Sequence, residues 1–253
     1  MDSREGRAVV RTDLLLYSSP VSARNKQRGQ EGQHCRRCAV CCRRGGPALH
    51  TPDIELYRRG AIRGKHLVTF RQGELARENV QGGLIRLEAE IVKLRGISGG
   101  FACIFIEEGS SLCAIHADRP AECRALNCRD PRALTAMYRD DRISRFDLID
   151  RQSALGELAA EHERRCSLGR LGELAARYGL DGSRVARDAI LEQLRYDREM
   201  RGLMAERANL TPAELDFVFG RPLPSVLPSV GLSLAASGEI FTLIPIQPGV
   251  GDA

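Results

Sequence analysis

The sequence predicts an α+β fold, and three observations lead there. Cysteines crowd the stretch "HCRRCAVCCRRGG" (34–46), short apolar runs broken by glycine follow it, and long stretches with apolar residues at helical spacing fill the second half. The expected architecture is a small cysteine-rich module with a β-hairpin and short helices, packed with a helical C-terminal region. Four segments are expected: 1–30 disordered, 31–130 cysteine-rich, 131–220 helical, and 221–253 an extended Pro-rich tail.

Each element has a local reason. In "TPDIELYRRG" (51–60), Thr51 is a helix cap, Pro52 suits the first turn, Asp53 suits the positive end and Gly60 suits the exit. In "LIRLEAEIVKLR" (84–95), Ile85, Leu87, Ala89 and Ile91 alternate as in a strand, whereas Leu84, Leu87, Ile91 and Leu94 would suit a helix equally well. Gly82-Gly83 and Gly96 bound the stretch closely and favour a strand. "FACIFI", the turn "EEGSS" and "LCAIH" read as a hairpin with one cysteine on each arm. "ADRPAECRAL" (117–126) gives one or two helical turns, with Pro120 near the start.

From residue 131 the pattern is helical. "SALGELAAEHERRC", "GRLGELAARYG" and "SRVARDAILEQLRYDREMRGLMAER" place apolar residues on one face and Glu and Arg on the others, and Val185, Ile190, Leu191 and Leu194 form the stripe of the third. Thr211 and Glu214 make a capping box, with Pro212 at the first position. After Gly220 the chain turns Pro-rich, with one edge strand expected at "EIFTLIPI".

Composition narrows the functional classes. The 253 residues are 43% hydrophobic and 28% charged, as in an ordinary globular protein. Trp is absent, so the core must be built largely from Leu, Ile, Val and Ala. The net charge is +5, but the basic residues are nearly all Arg and show no finger spacing or aromatic-interleaved patch, so nucleic acid is not the expected partner. No secretory signal and no apolar run of membrane-spanning length is seen, and the expected setting is the cytoplasm, without a membrane. Nine cysteines, an odd number, in a reducing compartment read as metal ligands or redox groups rather than disulfides.

The cysteines fall into two groups. Cys35, Cys38 and Cys41 repeat a two-residue gap, which lets tight backbone turns bring three sulfurs together. Cys42 diverges from Cys41, because neighbouring side chains point apart, and suits a second centre or the far side of a larger cluster. Cys103, Cys113, Cys123 and Cys128 form the second group, with gaps of nine, nine and four residues. No second Cys-x-x-Cys knuckle exists, so a simple zinc ribbon is excluded, and the bacterial ferredoxin run is absent. An all-sulfur set suits zinc or an iron–sulfur cluster, not magnesium or calcium. Because the spacings fit no common zinc knuckle pair, they favour iron–sulfur, and 31–130 is expected to be a metal-binding domain that needs its metal to fold. Arg36, Arg37, Arg43, Arg44, Arg119, Arg124 and Arg129 lie close to these cysteines and could offset thiolate charge, although any one of them reads more simply as a solvated surface residue.

Cys166 has no cysteine neighbour and reads as a core or surface thiol. His34 adjoins Cys35 and ranks well below the cysteines as a ligand; His50 and His66 have no spaced partner. A Cys113–His116 nucleophile ranks low, because metal binding would quench the thiolate. No His-Glu-x-x-His, Gly-x-Ser-x-Gly or P-loop motif occurs, and "GISGG" (96–100) reads as a turn.

Cys-x-x-Cys-x-x-Cys-Cys followed by "CIFIEEGSSLCAIHADRPAECRALNC" resembles the YkgJ-type cysteine-cluster family of zinc- or iron-chelating proteins, over roughly residues 35–128. The resemblance carries Cys35, Cys38, Cys41, Cys42, Cys103, Cys113 and Cys123 onto the family's cysteines, and Arg119, Pro120 and Arg124 onto its Arg-Pro and Cys-Arg positions. His116 stands where the family often has Tyr, and Cys128 stands near a position that is often Pro. The resemblance implies metal chelation. A related branch, the flagellin lysine-N-methylases, joins a similar cluster to S-adenosylmethionine chemistry. Two alternatives therefore stand beside a metal-binding protein: a methylase-like or redox enzyme that uses the cluster, told apart by a deep pocket at the cysteines, and a metal-shaped interaction module whose helices 183–220 meet a protein partner.

Overall fold

Helices and small antiparallel strand pairs make up the computed structural model, which describes residues 35–78, 82–107, 109–110, 112–237 and 240–246. The segment expected to be disordered (1–30), His34 and residues 247–253 lie outside the described residues. Among the described residues the first elements are α1 (Val40–Arg43) and a 3-10 turn (Thr51–Asp53) that runs into α2 (Ile54–Arg58). Four short strands follow: β1 (Leu67–Phe70), β2 (Leu75–Arg77), β3 (Leu84–Arg86) and β4 (Ile91–Leu94). Then come α3 (Ala121–Ala125), α4 (Arg132–Met137), α5 (Ala154–Arg165), α6 (Leu168–Asp181), α7 (Arg184–Ala208), α8 (Pro212–Val218) and α9 (Leu223–Val226), closed by β5 (Leu232–Ser237) and β6 (Ile240–Pro245). This mixture is compatible with the α+β class.

The stretch 84–95 is not one strand but two. β3 pairs with β2 (Ala76 opposite Ile85), and β4 pairs with β1 (Leu67 opposite Leu94, Phe70 opposite Ile91), so β1–β4 form one long hairpin with a break in the middle. At the break the chain turns through Gly73 at φ 85°. The buried Glu74 carboxylate accepts the Arg71 N–H at 3.0 Å and pairs with Arg221. Glu90 also leaves the ladder, and both its oxygens bind the guanidinium of the fully buried Arg145. Tertiary charge pairing thus overrides the simple alternation.

The helices follow their local signals. Ser153, Ser167, Ser183 and Thr211 each accept a backbone N–H at a helix start, and Thr211–Glu214 forms the expected capping box. Gly182 and Asn209 end α6 and α7 in the left-handed conformation. The stripe of α7 differs at one position: Ile190 and Leu194 are buried and Leu191 is half-buried, but Val185 is 76% exposed and Ala186 takes the buried place. Residues 186, 190, 194 and 197 fall on one face at near-helical spacing, which 185 does not share. The expected Thr51 cap also differs. Asp53 accepts the His50 N–H at 3.0 Å, and the Thr51 N–H donates to the Asp141 carbonyl at 2.9 Å.

Beyond Gly220 the chain is not simply extended. α9 and a 3-10 turn (Leu227–Val230) bury Leu223, Val226 and Leu227, and β6 pairs with β5 in register from Leu232–Pro245 to Ser237–Ile240. Among the described residues, two apolar clusters hold the fold. The first joins Leu49, Leu56, Ile62, Leu67, Val92 and Leu94 with Leu215, Phe217 and Phe219, and takes in Met204 of α7. The second joins Leu168, Leu171, Leu223, Leu227 and Leu232 with Ile190 and Leu194 of α7. Among the described residues no helix is long and apolar enough to cross a membrane.

Candidate metal centre

The first cysteine group sits on a tightly wound segment. Arg37 and Ala39 take left-handed φ values of 55° and 57° on either side of Cys38, a conformation that costs a non-glycine residue on the order of 1 kcal/mol. Ala39 is buried and opens α1, which carries Cys41 and Cys42 with their sulfurs 3.9 Å apart. The segment then docks onto β4 at Gly46, where an added Cβ would lie only 2.2 Å from the Leu94 carbonyl oxygen.

The second group arrives on irregular chain. The expected hairpin is reduced, among the described residues, to the bridge between Ile106 and Cys113, with the Ala114 N–H donating to the Phe105 carbonyl at 2.9 Å. Cys103 instead spends its own N–H on the carbonyl of Cys42, at 2.8 Å, and bridges Gly96. Phe101 is left 72% exposed. A hydrogen bond to the neighbouring loop replaces the one a ladder would need.

Cys123 lies on α3, and Asp53 holds that helix in place. The buried Asp53 carboxylate accepts the Ala121 N–H at 2.9 Å besides the His50 N–H. Glu122 of the same helix accepts the Ala48 N–H at 3.0 Å and meets His50 Nε2 at 3.1 Å. One carboxylate on each side thus ties α3 to the segment that leads out of the first cysteine group.

The outcome is one cavity of about 1140 Å³ whose wall includes Cys35, Cys38, Cys41, Cys42, Cys103, Cys113, Cys123 and Cys128. Cys103 is buried; Cys38 and Cys128 are exposed at the wall, and the others lie between. Cys166 is elsewhere, fully buried in the second apolar cluster with its sulfur 3.7 Å from the Gln193 carbonyl, and burial above all raises its thiol to about 12. Arg36, Arg37, Arg43, Arg44 and Arg119 line the cavity. Arg124 turns instead to the Arg119 carbonyl and stands 3.8 Å from Asp53. His116 lines the cavity too; its Nδ1 is 3.4 Å from an Arg37 nitrogen, and its Nε2 is buried without a partner.

The thiols do not ionise alike. Cys41 is lowered to about 6, chiefly by the Cys42 thiol beside it, with help from Arg119. Cys42 is raised by the same contact and by burial. Burial is also the leading cause that raises Cys103, Cys113, Cys123 and Cys128, and neighbouring cysteines push each further up. Ionising one thiol beside another is costly unless a cation offsets the charge. Among the described residues no three His, Cys, Asp or Glu side chains converge as they stand to hold a metal ion. In kind, however, the donors fit a soft metal, because every candidate ligand in the set is a sulfur and all face one cavity.

Residues 34–151 match a family model described as "CxxCxxCC: Putative zinc- or iron-chelating domain". That stretch is similar to the CxxCxxCC family. The CxxCxxCC stretch is a little under half of the chain and contains all eight cysteines of the cavity. The resemblance read from motif order is therefore shown, and zinc or iron chelation is the role the matched description gives. No curated protein and no solved structure matches the chain.

Sequence reasoning missed three side chains that shape the CxxCxxCC stretch. His50 had no spaced partner in sequence, yet it is fully buried between Glu122 and the Asp140 carbonyl. In sequence Asp53 has the place of a local helix charge, and Glu122 carries no motif of its own. The motif Cys-Arg next to Pro-Ala-Glu marks the helix that carries Glu122, but nothing in it names a partner more than seventy residues upstream.

Proposed function

We propose that the chain is a thiolate-ligated metal protein in which Cys35, Cys38, Cys41, Cys42, Cys103, Cys113, Cys123 and Cys128 hold zinc or iron, with an iron–sulfur cluster preferred. The observation that carries this reading is that eight cysteines from separate stretches of chain line one cavity, while the ninth does not. The preference for iron–sulfur rests on the adjacent Cys41–Cys42 pair and the missing second knuckle, neither of which a mononuclear zinc site calls for. In this reading residues 31–130 form the metal-binding domain, and metal neutralises thiols that otherwise resist ionisation together. A reducing, cytoplasmic setting goes with it, since unpaired thiols persist there. Anaerobic purification of the full chain, followed by iron, zinc and acid-labile sulfide analysis with an absorption spectrum, tests the reading. Brown protein with sulfide supports the cluster; stoichiometric zinc removes that preference; a metal-free native protein removes the reading altogether.

A second reading has its own observation. At about 1140 Å³ the cavity is larger than thiols and metal require and lies just above the range of small-molecule sites, which run to about 1,000 Å³. An enzyme that works on a bound small molecule beside the cluster, by redox or methyl-transfer chemistry, accounts for the extra volume. An iron–sulfur cluster would supply single-electron transfer there; the chain's own residues would bind and orient the substrate. A change in the cluster's spectrum on substrate binding is the measurement that tests it.

A further inference from the structure

The cavity wall also carries a polar cluster that contains no cysteine. Ala48 bridges Lys93 of β4, and His50 bridges Arg142. Directly opposed residues share a face, and residues two apart along a strand share a face, so Lys93 and Arg142 project from the same side of this three-segment layer. Tyr138, at the end of α4, stands beside them, with the Arg142 guanidinium 5.3 Å from its ring centre. All three side chains line the cavity.

Two of the three carry a buried polar atom without a partner. Tyr138 is only 5% exposed, and its hydroxyl is buried without a hydrogen-bond partner; Arg142 Nε is likewise buried and unpartnered. Burial is the chief cause that lowers the Lys93 ammonium, and Arg142 lowers it further. Glu122 and Glu78 oppose that shift on Lys93, but neither meets the Tyr138 hydroxyl or Arg142 Nε. Glu122 is taken by the Ala48 N–H and His50, and Glu78, which also lines the cavity, is one carboxylate against two cations. Buried donors of this kind are costly unless an acceptor meets them.

We infer that Lys93, Tyr138 and Arg142 form an anion subsite for a small molecule bearing a carboxylate or phosphate, with its apolar part against Ile85, Leu87 and Phe105. The hydroxyl, the ammonium and the guanidinium donate to the anionic group, and the apolar residues line the same cavity. The inference rests on the second reading of function and names its substrate class.

Isothermal titration of the metal-loaded full chain with benzoate, phenyl phosphate and benzamide tests it. The expected result is binding of at least one of the two anions, with benzamide at least about tenfold weaker. Which anion binds more tightly separates a carboxylate from a phosphate ligand. Tyr138→Phe removes one oxygen and should weaken that anion about fivefold to tenfold, and Lys93→Met should do at least as much, with metal content unchanged in both. Equal binding of benzamide, no binding of either anion, or wild-type affinity in Tyr138→Phe would overturn the subsite. Elemental analysis of the same samples keeps the two questions apart. Metal without anion binding removes only the subsite, and anion binding by a chain that holds no metal retains the subsite and removes the cluster.

Discussion

The backbone N–H of Cys103 donates to the carbonyl of Cys42 at 2.8 Å, joining the two cysteine groups by main chain before any sulfur takes part. The fold by itself therefore holds the two groups together. Substituting single ligands should thus strip metal without dispersing the remaining cysteines. Cys38→Ser and Cys123→Ser are expected to lower metal stoichiometry and solubility, whereas Cys166→Ser, outside the cavity, should keep the full metal content. Elemental analysis of the three purified variants decides; loss of metal in Cys166→Ser would refute the ligand assignment.

Asp53 should matter to the metal without touching it. Its buried carboxylate accepts N–H groups from His50 and Ala121, and removal leaves both without their acceptor. Asp53→Ala is expected to cost about 3 kcal/mol, from two stranded buried donors. It should also weaken metal retention against a chelator, because α3 carries Cys123. Urea unfolding and chelator competition measure the two effects, and an unchanged chelation midpoint would show that α3 needs no such tie.

Arg145 is fully buried and binds Glu90, Glu163 and the Val218 carbonyl. Arg145→Ala leaves carboxylates facing a cavity they cannot neutralise, and the expected loss is about 3 kcal/mol or more. A denaturation midpoint within error of wild type would contradict this.

His162 should make stability fall in mild acid. Burial is the leading cause that lowers its pKa from the ordinary 6.5, and its Nδ1 is buried without a partner, so the neutral ring donates Nε2–H to Asp197 at 2.8 Å. The Asp197 carboxyl, whose own burial is outweighed by His162, Arg201 and the Leu223 N–H, is held at about 2 and stays ionised throughout this window. Below pH 6.5 the unfolded chain takes up a proton on His162 that the folded chain refuses. This stabilisation is complete above that pH and diminishes as pH falls towards the lower folded value, by at most about 1.4 kcal/mol per pH unit. Comparing urea unfolding at pH 7.5 and 5.5 (set about one unit to either side of the imidazole range) should show a larger drop for wild type than for His162→Gln. Equal drops would exclude His162 as the cause.

Gly46 tests how closely the cysteine segment packs on β4. A methyl group there would overlap the Leu94 carbonyl, so Gly46→Ala should cost about 1–3 kcal/mol and raise metal loss. Thermal melting with and without bound metal would show whether both follow.

Features written in adjacent residues were legible in the sequence. Thr211 and Glu214 lie three apart and cap each other, and the repeated two-residue gap put three of the cavity's cysteines in view at once. What could not be read was the choice of a distant partner. The apolar alternation within 84–95 marks a single strand, and only the folded chain shows it divided into β3 and β4 with different partners. The FACIFI hairpin is shorter than expected for the same reason: its arms meet at Ile106 and Cys113, while Cys103 found its acceptor in Cys42. Asp53 reaches Ala121 across 68 residues, a distance at which spacing carries no signal. Val185 was misassigned more simply, by counting it into a face that lies one residue away.

The long helix α7 lends Ile190 and Leu194 to one apolar cluster and Met204 to the other. It works as a shared axle: neither half can melt while the other keeps its grip on the rod. Heat should consequently dismantle the cysteine-bearing half and the terminal hairpin in a single step, and damage at one end should be felt at the far end of the shaft.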